Sequence, residues 1–185
     1  MELSDIDLVT LAKAARTSVA FETLVRRHQA PLRAFLIRMT GDAALADDLA
    51  QEAFLKAYRA LDGYRGGASF RSWLFSIALR EAQMARRKEA SRARLQVAAV
   101  DDAENAATNE FSVDLRRALA TLTNEERSAA LLCDAAGFSH AEAASAMGAP
   151  LGSVKTLVAR AREKLRAAMS GDAIENNAAP GAACA

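Results

Sequence analysis

The sequence predicts an all-α chain: two small helical domains joined by a flexible acidic linker, the second containing a helix-turn-helix. Three observations carry this. Of the 185 residues 51% are apolar, only three are proline and 5% are aromatic, a balance that favours long helices over strands. Apolar side chains recur at steps of three and four along both halves, the period of a helix with one buried face. Charge is partitioned as well: residues 63 to 95 carry a net +6, residues 96 to 111 a net −4 and residues 150 to 170 a net +4, in a chain whose total is +1.

The first domain is expected over residues 1–95. Phe21, Leu24, Val25, Leu32, Phe35 and Leu36 follow helical spacing, and Pro31 is expected to kink or divide that helix because it lacks a backbone donor. Asp42 is a fitting N-cap for a next helix reaching about Leu61. On it Leu45, Leu49, Ala53, Ala57 and Leu61 make a buried seam with Phe54 beside it, while Asp47, Asp48, Gln51 and Glu52 leave another face acidic. On charge alone that face reads as solvated. A glycine-containing loop, Asp62 to Ala68, follows, and Ser69 caps a third long helix. Phe70, Trp73, Leu74, Ile77 and Ala78 should pack inward there, and Ser76, Arg80, Gln83, Arg87 and Arg94 should line another side, broadened by Arg86, Lys88 and Arg92. A basic stripe beside a flexible loop suits a DNA backbone and an unstacked base. Trp73 falls on the apolar stripe, so core packing is its expected role.

Residues 96–111 hold four acidic and no basic side chains with no sustained period, which reads as the linker. The second domain is expected over residues 112–170. Ser139 and Glu142 have the spacing of a capping box, Gly148 suits a left-handed helix stop, and Pro150 suits the first turn of the next helix. Val154, Leu157, Val158, Ala161 and Leu165 form one apolar stripe, leaving Lys155, Thr156, Ala159, Arg160 and Arg162 outward. Such a helix fits the DNA major groove, its first turns at base edges and its flanking cations on phosphates. The tail, residues 171–185, is expected to be disordered, with no further domain after it.

Other chemistry finds little support. Cys133 and Cys184 lack metal-ligand spacing, and Cys133 reads as a small buried apolar residue. His28 and His140 have no partner in the sequence that suggests a metal site or catalytic pair. Gly66-Gly67 lacks the Gly-Lys-Ser/Thr ending of a phosphate-binding loop. No catalytic residue, cofactor or metal is expected. No apolar run approaches the roughly 20 residues of a membrane span, and the first residues lack the order of a signal peptide, so a cytoplasmic protein is expected.

Three segments together resemble a family: Asp47-Asp48-Leu49-Ala50-Gln51-Glu52-Ala53-Phe54; Phe70-Arg71-Ser72-Trp73-Leu74-Phe75-Ser76-Ile77-Ala78; and Gly137-Phe138-Ser139-His140-Ala141-Glu142 with Gly152-Ser153-Val154-Lys155 and Arg160-Ala161-Arg162. In this order they resemble the extracytoplasmic-function sigma factors of bacterial RNA polymerase, in the sigma-70 superfamily, over about residues 18 to 92 and 112 to 169. The resemblance implies that the first domain is region 2 and the second region 4. It implies that Asp47, Asp48, Gln51, Glu52 and Phe54 dock on the clamp helices of the polymerase's largest subunit, reversing the solvated reading of that face. It implies that Tyr64, Arg65, Arg71, Arg80, Gln83, Arg87 and Lys88 meet the minus-ten promoter element, through the loop from Gly63 to Ala68 and the helix after it. Ser153, Lys155, Thr156, Ala159, Arg160 and Arg162 would meet the minus-thirty-five element.

An anti-sigma factor is the further partner the family implies, and no membrane insertion is. The chain also departs from the family pattern. Leu79-Arg80 stands where Arg-Asn is common, Met84 where Asp is, and Leu157 where Arg is frequent, and Ala159 is small. Its promoter sequence therefore cannot be copied from a relative. Two other readings fit parts of the chain: a sigma mimic that titrates anti-sigma factors, and a stand-alone helix-turn-helix regulator binding a palindromic site. The acidic docking segment has no purpose in the latter.

Overall fold

The computed structural model describes residues 3–15, 18–95 and 113–170, and among these it contains helices and turns but no strand. A helix that the sequence reading did not anticipate opens the fold: α1, Asp5–Ala15. Ser4 and Asp7 start it reciprocally, Ser4 N donating to the Asp7 carboxylate at 3.0 Å and Asp7 N to the Ser4 hydroxyl at 3.3 Å. Its Leu8, Val9 and Ala12 are buried.

α2, Ser18–Thr40, runs through Pro31 without being divided. The missing backbone bond costs about 3 kcal/mol, but Leu24 before the proline and Leu32, Phe35 and Leu36 after it are fully buried, and that packing holds one axis across it. α3, Ala43–Arg59, begins at Asp42, whose side chain accepts from Leu45 N at 3.1 Å. It ends in a 3-10 turn, Leu61–Gly63. α4, Phe70–Leu95, starts from Ser69, which accepts from Ser72 N. Helices α1 to α4 pack on one another around Phe21, Leu24, Phe35, Phe70 and Leu74.

In the second half α5 spans Val113–Ala120 and α6 Asn124–Ala130, the latter opened by a capping box of Thr123 and Glu126. A π-helical turn, Leu131–Ala135, continues α6, and Gly137 at φ +70° reverses the chain. α7, His140–Met147, and α8, Leu151–Met169, form the helix-turn-helix. The Ser139–Glu142 capping box is formed in full, and Gly148 stops α7 at φ +62°. Pro150 is the N-cap of α8, one residue ahead of the expected first-turn position.

The two units do not stand apart. Buried residues of both form one continuous apolar core, with α7 packed on α4 and the π turn on α2. Phe75 and Leu79, outside the expected inward set of α4, are buried too; Phe75 lies between the two units, its ring centroid 5.2 Å from that of Phe35 and 4.9 Å from that of Phe138. The expected linker at 96–111, the tail and Cys184 lie outside the described residues, and Arg92 and Arg94 outside the described side chains.

Candidate nucleic-acid interface

Local capping explains how α8 is presented. The box at Ser139 fixes the start of α7, Gly148 fixes its end, and Ala149 N donates to Ala144 O, so α8 leaves at a set angle. Val154, Val158 and Ala161 are buried, and Leu157 and Leu165 partly so. Lys155, Thr156, Ala159, Arg160 and Arg162 are all exposed, as their spacing predicts, and so is Ser153. Two flanking ion pairs brace the helix against the unit beneath: Arg162 with Asp134 at 2.5 Å, and Lys164 with Glu126 at 2.7 Å. Lys155 and Arg160 have no ion pair among the described residues. Hydrogen bonds from Lys164 and from Thr123 N hold the Glu126 carboxyl below its ordinary 4.5, and the Ser139 backbone and hydroxyl do the same for Glu142. Burial, with the charge of Asp134 behind it, raises the thiol of Cys133, which is half-buried rather than fully buried.

The second surface is the loop before α4 together with that helix. Tyr64 is only 8% exposed, its ring 5.0 Å from that of Trp73 and edge-on to Phe70 at 6.1 Å. Its hydroxyl donates to Ala68 O at 2.5 Å. This cross-loop bond staples the loop shut at its base and leaves Arg65, Gly66 and Gly67 as an exposed tip. Gly66 sits at φ +74°, a backbone region that a side chain would strain. Tyr64 is thus a pillar under the loop, and Arg65 is the outward group of the pair. Along α4, Arg80, Arg87 and Lys88 are exposed and Gln83 is half-buried.

Arg71 is placed differently. Its guanidinium lies 4.3 Å from the ring centroid of Phe138 and 5.7 Å from that of Phe75, and it donates to Ala136 O in the other unit. A second guanidinium, this one buried, lies at the same seam: Arg127 donates to Leu119 O at 2.6 and 3.0 Å, with Met39 O of the first unit 3.5 Å away. Burial and the nearby Arg86 lower its pKa. A cleft of about 280 Å³ opens beside it between Met39, Gly41, Arg116 and Leu119.

The acidic face of α3 borders an open groove of about 710 Å³ between α2 and α3. Phe21, Val25, Phe54, Leu55 and Tyr58 make its apolar lining, and Asp47, Gln51, Glu22 and Arg33 its polar rim. Phe54 is 9% exposed and meets the groove from the core side. Asp47 and Asp48 are exposed and Glu52 is half-exposed; Arg33 holds Asp47 at 2.5 Å across the groove. Sequence reading found the α3 side of this groove, because its charges interrupt an apolar seam. It missed the α2 side, where Val25 and Phe21 look like ordinary core. His28, which has no obvious partner in the sequence, has one in the fold: Asp5 Oδ2 is 2.8 Å from its Nε2, and Arg27 meets the same carboxylate at 2.5 Å. Among the described residues no group of three or more His, Cys, Asp and Glu could hold a metal ion, and no helix is long and apolar enough to cross a membrane.

Residues 24–92 match the family model for Sigma-70 region 2, and residues 112–165 match that for Sigma-70 region 4. The chain is 36% identical over 149 residues to the ECF RNA polymerase sigma factor EcfG of Rhodopseudomonas palustris, covering 78% of this chain and 82% of that one. It is 34% identical over 172 residues to the ECF RNA polymerase sigma factor SigC of Mycobacterium tuberculosis, covering 89% and 92%. In three dimensions it resembles the sigma factor RpoE of Bartonella quintana, solved in complex with the anti-sigma factor NepR, with a TM-score of 0.68 at 28% identity over 82% of this chain and 98% of that one. With both regions matched in order and relatives above 30% identity along most of its length, the chain belongs to the extracytoplasmic-function sigma factors of bacterial RNA polymerase.

Proposed function

We propose that this chain directs core RNA polymerase to promoters by holding two DNA-reading surfaces at a distance set by the polymerase, and that it acts by binding, not as an enzyme. Residues 1–95 serve as the polymerase-docking and minus-ten unit, and residues 112–170 as the minus-thirty-five unit. The observation that carries this reading is the apolar groove between α2 and α3 with its acidic rim, on the same unit as the basic helix α4. An acidic rim repels DNA, so this face suits a protein partner. An amphipathic helix lays its apolar face into a groove of this kind, and the polymerase clamp helices are its occupant, with Asp47 and Gln51 on the polar rim, Phe54 in the floor, and Asp48 and Glu52 beside the groove on α3.

On DNA, the first turns of α8 carry Ser153, Lys155, Thr156, Ala159 and Arg160 to the minus-thirty-five bases, with Arg162 toward phosphate. The tip Arg65-Gly66-Gly67 takes an unpaired minus-ten base, and Arg80, Gln83, Arg87 and Lys88 follow the strand. Opening uses binding energy alone: bases are captured as they leave the stack. Arg71 completes this surface only when released from Phe138 and Ala136. The free chain is therefore a weak DNA binder, and docking turns two weak sites into one bivalent reader. By likeness to the Bartonella quintana sigma factor, an anti-sigma factor controls the chain, which works in the cytoplasm.

The test is in-vitro mapping of transcription start sites genome-wide with purified core polymerase, alongside a Lys155→Ala, Arg160→Ala double variant. New starts sharing two spaced elements, lost in the variant, are expected. Absence of polymerase binding and of new starts would defeat the proposal and favour a mimic or a stand-alone regulator.

A further inference from the structure

We propose that α1, which lies ahead of the stretch matching region 2, belongs to the promoter-reading apparatus, and that its Lys13 is a positioning residue fixing the loop from Gly63 to Ala68 for base capture. This rests on the reading of that loop as the minus-ten reader.

Lys13 Nζ donates to Tyr64 O at 2.5 Å and reaches toward Asp62 O at 3.4 Å, and it lies 5.8 Å from the centroid of the Tyr64 ring. The two carbonyls stand at the end of the Leu61–Gly63 turn, where helical backbone has acceptors without partners of its own. A single ammonium therefore closes that turn from outside. Among the described residues two side-chain ties hold the loop: Lys13 on the backbone at its entry, and Tyr64 Oη on Ala68 O across its base. Both run through Tyr64, whose ring is held by Trp73 and Phe70.

A tie is useful only if its far end is fixed, and α1 is. Leu8, Val9 and Ala12 are buried in the common core. At the opposite end of the helix, the Asp5 carboxylate is held by Arg27 and His28 of α2. Asp5 thus pins one end of α1 to α2, and Lys13 pins the loop to the other. Without Lys13, the carbonyls of Asp62 and Tyr64 turn to water and the tip Arg65-Gly66-Gly67, which contains a glycine at positive φ, samples more conformations before a base arrives. Misplacement by about 1 Å can weaken a geometry-dependent step by up to about a hundredfold. With two of its three donors on these carbonyls, the ammonium keeps only one for a direct phosphate contact.

The experiment uses holoenzyme assembled from core polymerase and the full chain carrying Lys13→Met, Lys13→Arg or no change. Promoter opening is timed on a promoter found by start-site mapping, with each base in turn at every minus-ten position, over a range of salt. Lys13→Met should slow opening about tenfold and flatten the base preference at one minus-ten position. Binding to the minus-thirty-five element and the salt dependence should stay unchanged. Lys13→Arg, which keeps charge and donors, should recover most of both.

Unchanged opening and base preference in Lys13→Met, with only a lower melting temperature, would make Lys13 a purely structural tie and overturn the proposal. A uniform loss of affinity with a salt slope reduced by about one would mark a phosphate contact instead and overturn it too. If the unmutated holoenzyme starts nowhere, the minus-ten reading itself fails and the proposal falls with it, a result distinguishable from the other two.

Discussion

At the scale of single residues, environment assigns roles that residue type alone leaves open. Cys133 is the clearest case. Burial and Asp134 together push its thiol above the ordinary 9.0, against a smaller opposing pull from Arg162. Thiolate is the reactive form, so in a Cys184→Ser variant Cys133 should react with iodoacetamide at pH 8 at least about tenfold more slowly than in urea-unfolded chain. Equal rates would show that the half-buried thiol is open to solvent. Tyr64 makes the same point in reverse. An aromatic beside glycines in a basic region looks like a base-stacking group, yet its ring supports the loop from beneath. The burial comes from Trp73, Phe70 and the distant Lys13, none of which local sequence around Tyr64 discloses.

At the scale of elements, helix termini are where the sequence was most readable. A capping box and a glycine stop involve groups three or four residues apart, so the helix-turn-helix and its outward residues could be located without the fold. The box at Thr123 and Glu126 obeys the same rule, but the residues after it lack a simple apolar period before the π turn, so it does not stand out in the sequence. Both box glutamates are held below their ordinary value of 4.5. Their charged forms therefore stabilise the second unit fully above about pH 4.5, and that contribution is lost as pH falls through the lowered values. Thermal melts between pH 7 and pH 3 should show this loss. In a Glu126→Gln, Glu142→Gln variant the pH dependence should flatten; an unaltered profile would place the acid sensitivity elsewhere. Thr123→Ala should destabilise by about 1 kcal/mol at neutral pH. Periodicity was less reliable where tertiary packing decides. α2 continues through Pro31 because core contacts flank it, and α4 buries Phe75 between Phe35 and the Phe138 of the second unit.

At the scale of the whole molecule, the two DNA-reading units close on each other through aromatic rings and two guanidinium groups. Charge along the sequence divides it into two units, but nothing local in the sequence says that Gly137 turns Phe138 onto Phe75. The pairing joins residues 63 positions apart. The seam has few opposed charges, so it should persist in 0.5 M salt, where exposed ion pairs are screened. Phe138→Ala should weaken it by about 3 kcal/mol or more, and Arg71→Ala should weaken it less while leaving the rings in place. Small-angle X-ray scattering of the free chain should report a larger radius of gyration for both variants, with helix content by circular dichroism retained. An unchanged radius would mean the closed arrangement is held elsewhere.

The contact between Trp73 and Tyr64 has an optical consequence. The chain has one tryptophan, so all of its indole emission arises from a ring packed on the pillar of the loop. Any rearrangement that unseats Tyr64, whether by an arriving base or by release from α1, changes the polarity and quenching around that ring. The unlabelled protein thus carries its own fluorescent gauge of the loop, although in holoenzyme the tryptophans of the polymerase would have to be subtracted or replaced.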